Sequence, residues 1–260
     1  MPGADTFGGP ADVYDRFVGR YGLSLATALT AGARPGMRAL DVGCGPGALA
    51  AVLADRLGGS SVAAVDPSPQ FVKACRERLP DVDVREAPAE ALPFEDGSVD
   101  AALLLGPLYH LPERSDRQAA LSEAKRILRP EGLAFAAGIS RYAGVLDGLV
   151  VHPAMDDQIV TMRQRAVGDG RYRNDTDNLR YFTTAYFHRP EDLARELRAA
   201  GFQGARVLGV EGPGWLLADF DARWAEPVTR ERILQVARLV EEEPSIVGVS
   251  AHLLGIARRP

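Results

Sequence analysis

From residue 37 onward, short apolar runs alternate with amphipathic stretches in a repeating rhythm. Residues 37–42 form an apolar run that ends at Gly43, and 46–57 read as a helix. Residues 61–65 form the next strand, ending at Asp66. Ser68 is a plausible N-cap with Pro69 at the first helical position, so a helix runs to about residue 79. Residues 82–85 and 99–105 read as a third and a fourth strand. Ser115 with Gln118 three residues later reads as a capping box, opening a helix that should stop before Pro130. Residues 132–140 form a fifth strand. Continuous apolar strands separated by helices point to a parallel sheet covered on both faces.

The rhythm breaks at both ends of this block. Upstream, Tyr14, Phe17, Val18, Tyr21 and Leu25 share one face of a helix over 11–30. Downstream, 141–189 is polar, arginine-rich and aromatic, with a helix over about 153–167. Order returns with a helix over 190–200 closed by Gly201. Strands at 206–210 and 250–257 follow, with a helix over 228–242 between them. The expected layout is one doubly wound domain, 1–260, carrying an N-terminal tail and helix at 1–32 and an insertion at 141–189 after the fifth strand.

Composition narrows the function classes. The 260 residues are 46% hydrophobic and 25% charged, an ordinary globular balance. Thirty Lys+Arg against 35 Asp+Glu leave a net charge of −5, without the basic excess of a nucleic-acid binder. Cys44 and Cys75 lack metal-ligand or disulfide-framework spacing, so no metal is expected. The N-terminus does not read as a signal peptide, and no apolar stretch approaches about 18 residues. A cytoplasmic protein with no membrane or nucleic-acid partner is expected.

The sharpest feature is Asp41-Val-Gly-Cys-Gly-Pro-Gly47, between the first strand and its helix. Glycines here let the chain turn tightly and let a ligand approach the backbone. Gly43, Gly45 and Ala48 satisfy the loose pattern of a dinucleotide loop, with Asp66 where a ribose-binding acid belongs. An NAD-dependent oxidoreductase is therefore one reading. Asp41 argues against it, because a carboxylate beside the turn opposes a pyrophosphate and favours a cationic ligand. S-adenosylmethionine carries an ammonium and a sulfonium and no phosphate.

This turn, with Val65-Asp66, Ala89-Glu-Ala-Leu-Pro-Phe94, Gly97-Ser-Val-Asp100 and Ile127-Leu-Arg-Pro-Glu-Gly132, resembles the class I S-adenosylmethionine-dependent methyltransferases, nearest their UbiE-like small-molecule branch. The resemblance covers roughly residues 14–140, with five motifs in order. It implies a seven-stranded Rossmann-like sheet whose last strand is antiparallel. It implies that Asp41, Gly43, Gly45 and Gly47 line the methionine end, that Asp66 and Pro67 border the ribose, and that Ala89 and Glu90 border the adenine above Leu105. Tyr14, Phe17 and Tyr21 would either pack over the cofactor as a lid helix, as in similar enzymes, or only fasten this helix to the domain. One departure stands out: Pro88 occupies the position where many relatives place an Asp for the adenine amino group, leaving Ala89 or Glu90 to make that contact.

The fourth strand ends in Leu105-Gly-Pro-Leu-Tyr-His-Leu111, at the sheet edge where ligands of open α/β folds bind. Tyr109 and His110 are the candidate catalytic residues, His110 as a base and Tyr109 as a pocket wall; packing of the next helix is the alternative. The insertion supplies Tyr142, His152, Tyr172, Tyr181, Phe182, Tyr186, Phe187 and His188, a set suited to a small-molecule methyl acceptor or to a satellite hydrophobic cluster. Arg163, Arg165, Arg171, Arg173 and Arg180 interleave with Asp169, Asp175 and Asp177 and read as a solvated mixed-charge face. His252 reads as a core or edge residue, and Cys44 as a small residue that fits its turn. The expected activity is methyl transfer from S-adenosylmethionine to O, N or C of a small molecule, with S-adenosylhomocysteine as by-product. A silent S-adenosylmethionine-binding module is the alternative from another class.

Overall fold

The computed structural model describes residues 34–151, 156–176 and 182–260. The expected N-terminal helix, with Tyr14 and Tyr21, lies outside the described residues. Nine strands are described: β1 Ala39–Val42, β2 Val62–Asp66, β3 Asp83–Glu86, β4 Val99–Leu104, β5 Leu128–Ser140, β6 Arg171–Tyr172, β7 Ala185–His188, β8 Gln203–Gly209 and β9 His252–Arg258. Parallel pairing joins β3, β2, β1, β4 and β5 in that order. β9 runs antiparallel to β5, and β8 antiparallel to β9. The result is the seven-stranded doubly wound sheet expected, and the strand order reverses between β1 and β4.

Helix α1 (Ala48–Leu57) and α2 (Pro69–Arg78) cover one face; α3 (Arg114–Ile127) and α5 (Pro190–Ala199) cover the other, with α4 (Asp157–Asp169) between these last two in sequence. β1 and β2 are buried along their whole length, because a parallel strand covered on both faces meets no water. The Ser68 hydroxyl caps α2 by accepting from the Phe71 N–H, with Pro69 opening the helix. The capping box at Ser115 does not form. The cap position falls two residues earlier, at Glu113, and the Ser115 hydroxyl donates instead to Asp116. β5 reaches back to Leu128 through Glu131 at φ 67, four residues earlier than the apolar run suggests.

The insertion contributes the β6–β7 hairpin and α4. β7 pairs in parallel with Ile139 and Ser140 of β5, while His252 of β9 holds the other edge of Ile139. β7 must therefore lie on the edge that β4 vacates when it ends at Leu104, whose register partner is Ala136. The hairpin is thereby set over the carboxyl end of β4. Tyr172, Ala185 and Phe187 pack there against Tyr109, Ala137 and Ile139.

Candidate functional site

The chain leaves β1 at Val42, one residue past Asp41, and turns through three glycines with positive φ. At Gly43 a Cβ would sit 2.9 Å from the Pro107 ring, and at Gly47 (φ 87) 2.7 Å from Cys75 Sγ. Only glycine lets the turn lie this close to its neighbours. The amides of Gly43 and Cys44 donate to the Val65 carbonyl at 2.8 and 2.9 Å, tying the turn to β2. Asp66, at the end of β2, completes the cradle: one carboxylate oxygen accepts from Gly45 N–H and the other from Ser68 N–H, both at 2.9 Å. Burial holds its carboxyl above the ordinary value, against these two bonds.

Asp41 lies beneath the turn with 2% of its surface exposed. Among the described residues its Oδ2 finds no hydrogen-bond partner. Burial, and then the charge of Asp66, push its carboxyl up to about 7 against a backbone hydrogen bond from Ala50. A buried carboxylate oxygen without a donor is costly, so this atom marks a place for a cationic or hydrogen-bond-donating group. Cys44 and Cys75 share a hydrogen bond, and it and burial push the Cys44 thiol far up, so Cys44 is a filler of the turn rather than a nucleophile.

Beyond β4, residues 107–110 make one helical turn. Tyr109 is buried and donates from its hydroxyl to the Leu105 carbonyl at 3.1 Å; burial pushes its phenol up to about 12. His110 packs on Tyr109 with ring centroids 4.7 Å apart, and burial drives its imidazole down to about 4. His110 is therefore neutral and only weakly basic. After β3, Ala89 is buried and Glu90 half-buried, while the Pro88 carbonyl accepts the Ala91 N–H at 3.2 Å.

Residues 40–136 match the model of a family described as a methyltransferase domain. A ubiquinone biosynthesis O-methyltransferase from Xanthomonas campestris is 31% identical over 188 residues, covering 70% of this chain and 70% of that protein. The chain belongs to the class I S-adenosylmethionine-dependent methyltransferases. A probable phthiotriol/phenolphthiotriol dimycocerosates methyltransferase from Mycobacterium ulcerans is 40% identical over 99 residues, 37% of each chain. The chain spans 29% to 37% of the length of two of the curated relatives it matches. A crystal structure from Thermotoga maritima, described as a possible histamine N-methyltransferase, superimposes with TM-score 0.57 over 96% of both chains at 22% identity, which shows a shared fold.

S-adenosylmethionine is the cofactor of this methyltransferase family, and the residues present fit it. The orphaned Asp41 oxygen suits the ammonium, the glycine turn carries no side chains at 43, 45 and 47 to keep a ligand from its backbone, and each Asp66 oxygen retains a lone pair for a ribose hydroxyl. Among the described residues no helix is long and apolar enough to cross a membrane.

The insertion's aromatic residues divide between the two faces of the sheet, because successive residues of β7 point to opposite sides. Tyr172, Phe182 and Phe187 cluster on the Tyr109 side, with Tyr172 and Phe187 stacked at 5.5 Å and 15°. Tyr186 and His188 point away, so they do not wall the same pocket. Tyr186 carries the Arg117 guanidinium 3.6 Å from its ring centre, and His188, fully buried, meets Glu196 at 3.2 Å. His152, Tyr181, Arg180 and Asp177 lie outside the described residues. The mixed-charge reading of the arginines agrees with ion pairs Arg163–Asp147, Arg173–Asp169 and Arg171–Glu113. A cavity of about 340 Å³ lies on the Tyr186 side, lined by Arg117, Glu196, Asp192 and Arg195 among others. Its cations face carboxylates, and it is separated from the glycine turn by the sheet.

Two polar groupings went unread in the sequence. Arg117 forks onto Glu196 through three bonds of 2.7–3.1 Å. Glu211 meets His252 across 41 residues. Neither has a local signature; only the pairing of distant elements assembles them.

Proposed function

We propose that this chain transfers a methyl group from S-adenosylmethionine to a small-molecule acceptor lying between the carboxyl end of β4 and the insertion. The observation that carries the reading is the buried, partnerless Oδ2 of Asp41 under a three-glycine turn. When bound, S-adenosylmethionine supplies an electrophilic methyl group on a sulfonium.

Asp41 would take the ammonium, and in doing so exchange a stored proton for an ion pair. Asp66 would accept the ribose hydroxyls on its free lone pairs, with Pro67 beside it. Gly43, Gly45 and Gly47 would give close backbone approach, and Ala89 and Glu90 would border the adenine over Leu105. The Pro88 carbonyl already accepts the Ala91 N–H and position 88 offers no side-chain acceptor, so Ala89 and Glu90 would be the adenine partners. Tyr109, anchored on Leu105, would wall the methyl end, and His110, held neutral, would orient the acceptor. Tyr14 and Tyr21 would close the site from the N-terminal helix. Orientation and exclusion of water by such walls can supply about 7–11 kcal/mol of barrier reduction. The domain would thus be a single unit in which 141–189 covers the acceptor, acting without nucleic-acid or membrane partners in the cytoplasm.

Calorimetric titration with S-adenosylhomocysteine and with NADH tests the cofactor, and a labelled-methyl assay over a panel of small hydroxyl, amine and carbon acceptors tests turnover. Heat with the first ligand alone, followed by labelled product, is the expected outcome. Heat with NADH alone would overturn the reading; binding without any product would favour a silent binding module.

A further inference from the structure

The Glu211–His252 pair has the construction of a held base. His252 opens β9 directly opposite Ile139, one residue short of the end of β5, and so stands at the carboxyl edge of the sheet. Residues directly opposite in an antiparallel ladder project from the same face. His252 therefore shares the face of Ile139, which belongs to the same buried cluster as Tyr109 and Phe187. Glu211 follows β8. Its Oε1 lies 2.5 Å from His252 Nδ1, while Oε2 accepts from the Ser250 hydroxyl at 2.7 Å and from the His252 amide at 2.9 Å. The Ser250 oxygen in turn accepts the Glu211 amide at 2.9 Å.

One bond of this set holds the ring of His252, and the others hold Glu211 and Ser250 in place beneath it. Glu211 has a side-chain exposure of 3% and His252 of 43%, so the carboxylate is sealed in and the imidazole opens outward. With Nδ1–H committed to Glu211, the lone pair sits on Nε2, on the open side. Burial disfavours the imidazolium, but the charge of Glu211 and its hydrogen bond outweigh this and raise His252 above the ordinary value. The turn after Glu211, Gly212–Leu216, packs on Asp147–Val151 of the insertion, so the pair sits where the insertion meets the sheet edge.

We propose that His252 is the base that takes the proton from an aromatic hydroxyl acceptor, with Glu211 as its positioning residue. This rests on the methyl-transfer reading above and names the acceptor class. A neutral amine attacks with a lone pair already available, whereas a hydroxyl gains nucleophilicity by losing its proton, so a held base points to oxygen. The stacked Tyr172 and Phe187 suit a flat ring. In the step, the acceptor O–H bond breaks, the proton joins Nε2, and the electron pair stays on oxygen. The imidazolium is balanced by Glu211 and later returns its proton to water.

The test uses the full chain saturated with S-adenosylhomocysteine and titrated with para-nitrophenol below that probe's own pKa, reading the phenolate absorbance band. The wild-type chain is expected to bind the probe as phenolate. His252→Gln should reduce the phenolate fraction by about tenfold or more, and Glu211→Gln should fall between. The heat of S-adenosylhomocysteine binding should be unchanged in His252→Gln, whose half-exposed site tolerates the change, and this serves as the check of folding. A wild-type complex that holds neutral phenol or none, or a His252→Gln chain that keeps the phenolate band, overturns the proposal. Absence of S-adenosylhomocysteine heat from the wild-type chain would instead overturn the cofactor reading on which it stands.

Discussion

Replacing Asp41 by Asn separates what the glycine turn costs from what it binds. Asn keeps the size and an oxygen for the Ala50 amide but carries no charge. In the free chain burial, and then Asp66, raise the Asp41 carboxyl from 3.8 to about 7. At about 1.4 kcal/mol per pH unit, ionising it in the folded state costs roughly 4 kcal/mol in alkaline solution. The direction follows from the raised value. The group's favourable protonated form is fully present below the unfolded pKa near 3.8 and is lost as pH rises through about 7. The Asn amide offsets part of the gain, since a buried donor without a partner costs about 1–3 kcal/mol. The free variant should therefore be more stable than wild type by about 1–3 kcal/mol at pH ~8, with the advantage gone at pH ~4. Its affinity for S-adenosylhomocysteine should fall by about 1.5–3 kcal/mol, the value of a hydrogen bond to a charged group. Urea denaturation at the two pH values and calorimetry at pH ~8 measure both quantities. A variant less stable than wild type in alkaline solution, or one with undiminished affinity, would refute this account of the turn.

Asp66→Ala should weaken S-adenosylhomocysteine by about 1–3 kcal/mol through lost ribose contacts, read by the same calorimetry; equal affinity would move the ribose elsewhere. Gly47→Ala should destabilise the chain by about 1–3 kcal/mol, because φ 87 strains an alanine and its Cβ would meet Cys75 Sγ at 2.7 Å; an unchanged denaturation midpoint would contradict the close approach. Glu196→Gln leaves Arg117 buried without its counter-charge and should cost about 3–5 kcal/mol at neutral pH. Burial pushes Glu196 up, but hydrogen bonds from His188 and Arg117, and their charges, outweigh it and hold the carboxyl down to about 2. That stabilisation is present above the unfolded value near 4.5 and fades as pH falls through about 2, so the gap between variant and wild type should close in strong acid.

How much of this was legible in the chain depends on how far apart the cooperating residues lie. Asp41 and Asp66 are neighbours because β1 and β2 pair in parallel, register partner to partner from Ala39↔Val62 onward. A strand–turn–helix repeat puts the ends of successive strands at the same edge, so two acids at or one residue before the end of two successive apolar runs announce one site from sequence alone. The Ser68 cap and the Gly201 stop were equally local, and both were found. The capping box at Ser115 failed for a local reason too: Glu113 already occupies the cap position of α3, and Asp116 takes the hydroxyl. The pairs that escaped are not local. Arg117 reaches Glu196 only because α3 and α5 pack side by side on one face. Glu211 reaches His252 only because β9 turns back along both β5 and β8, and that fold-back takes the whole of 210–251 to complete. His252 alone in an apolar run reads as an edge residue, and Glu211 alone reads as a surface acid. The antiparallel return makes them one unit, so the part of the site that would select an acceptor is specified by topology, whereas the part that fits the cofactor is specified by motif.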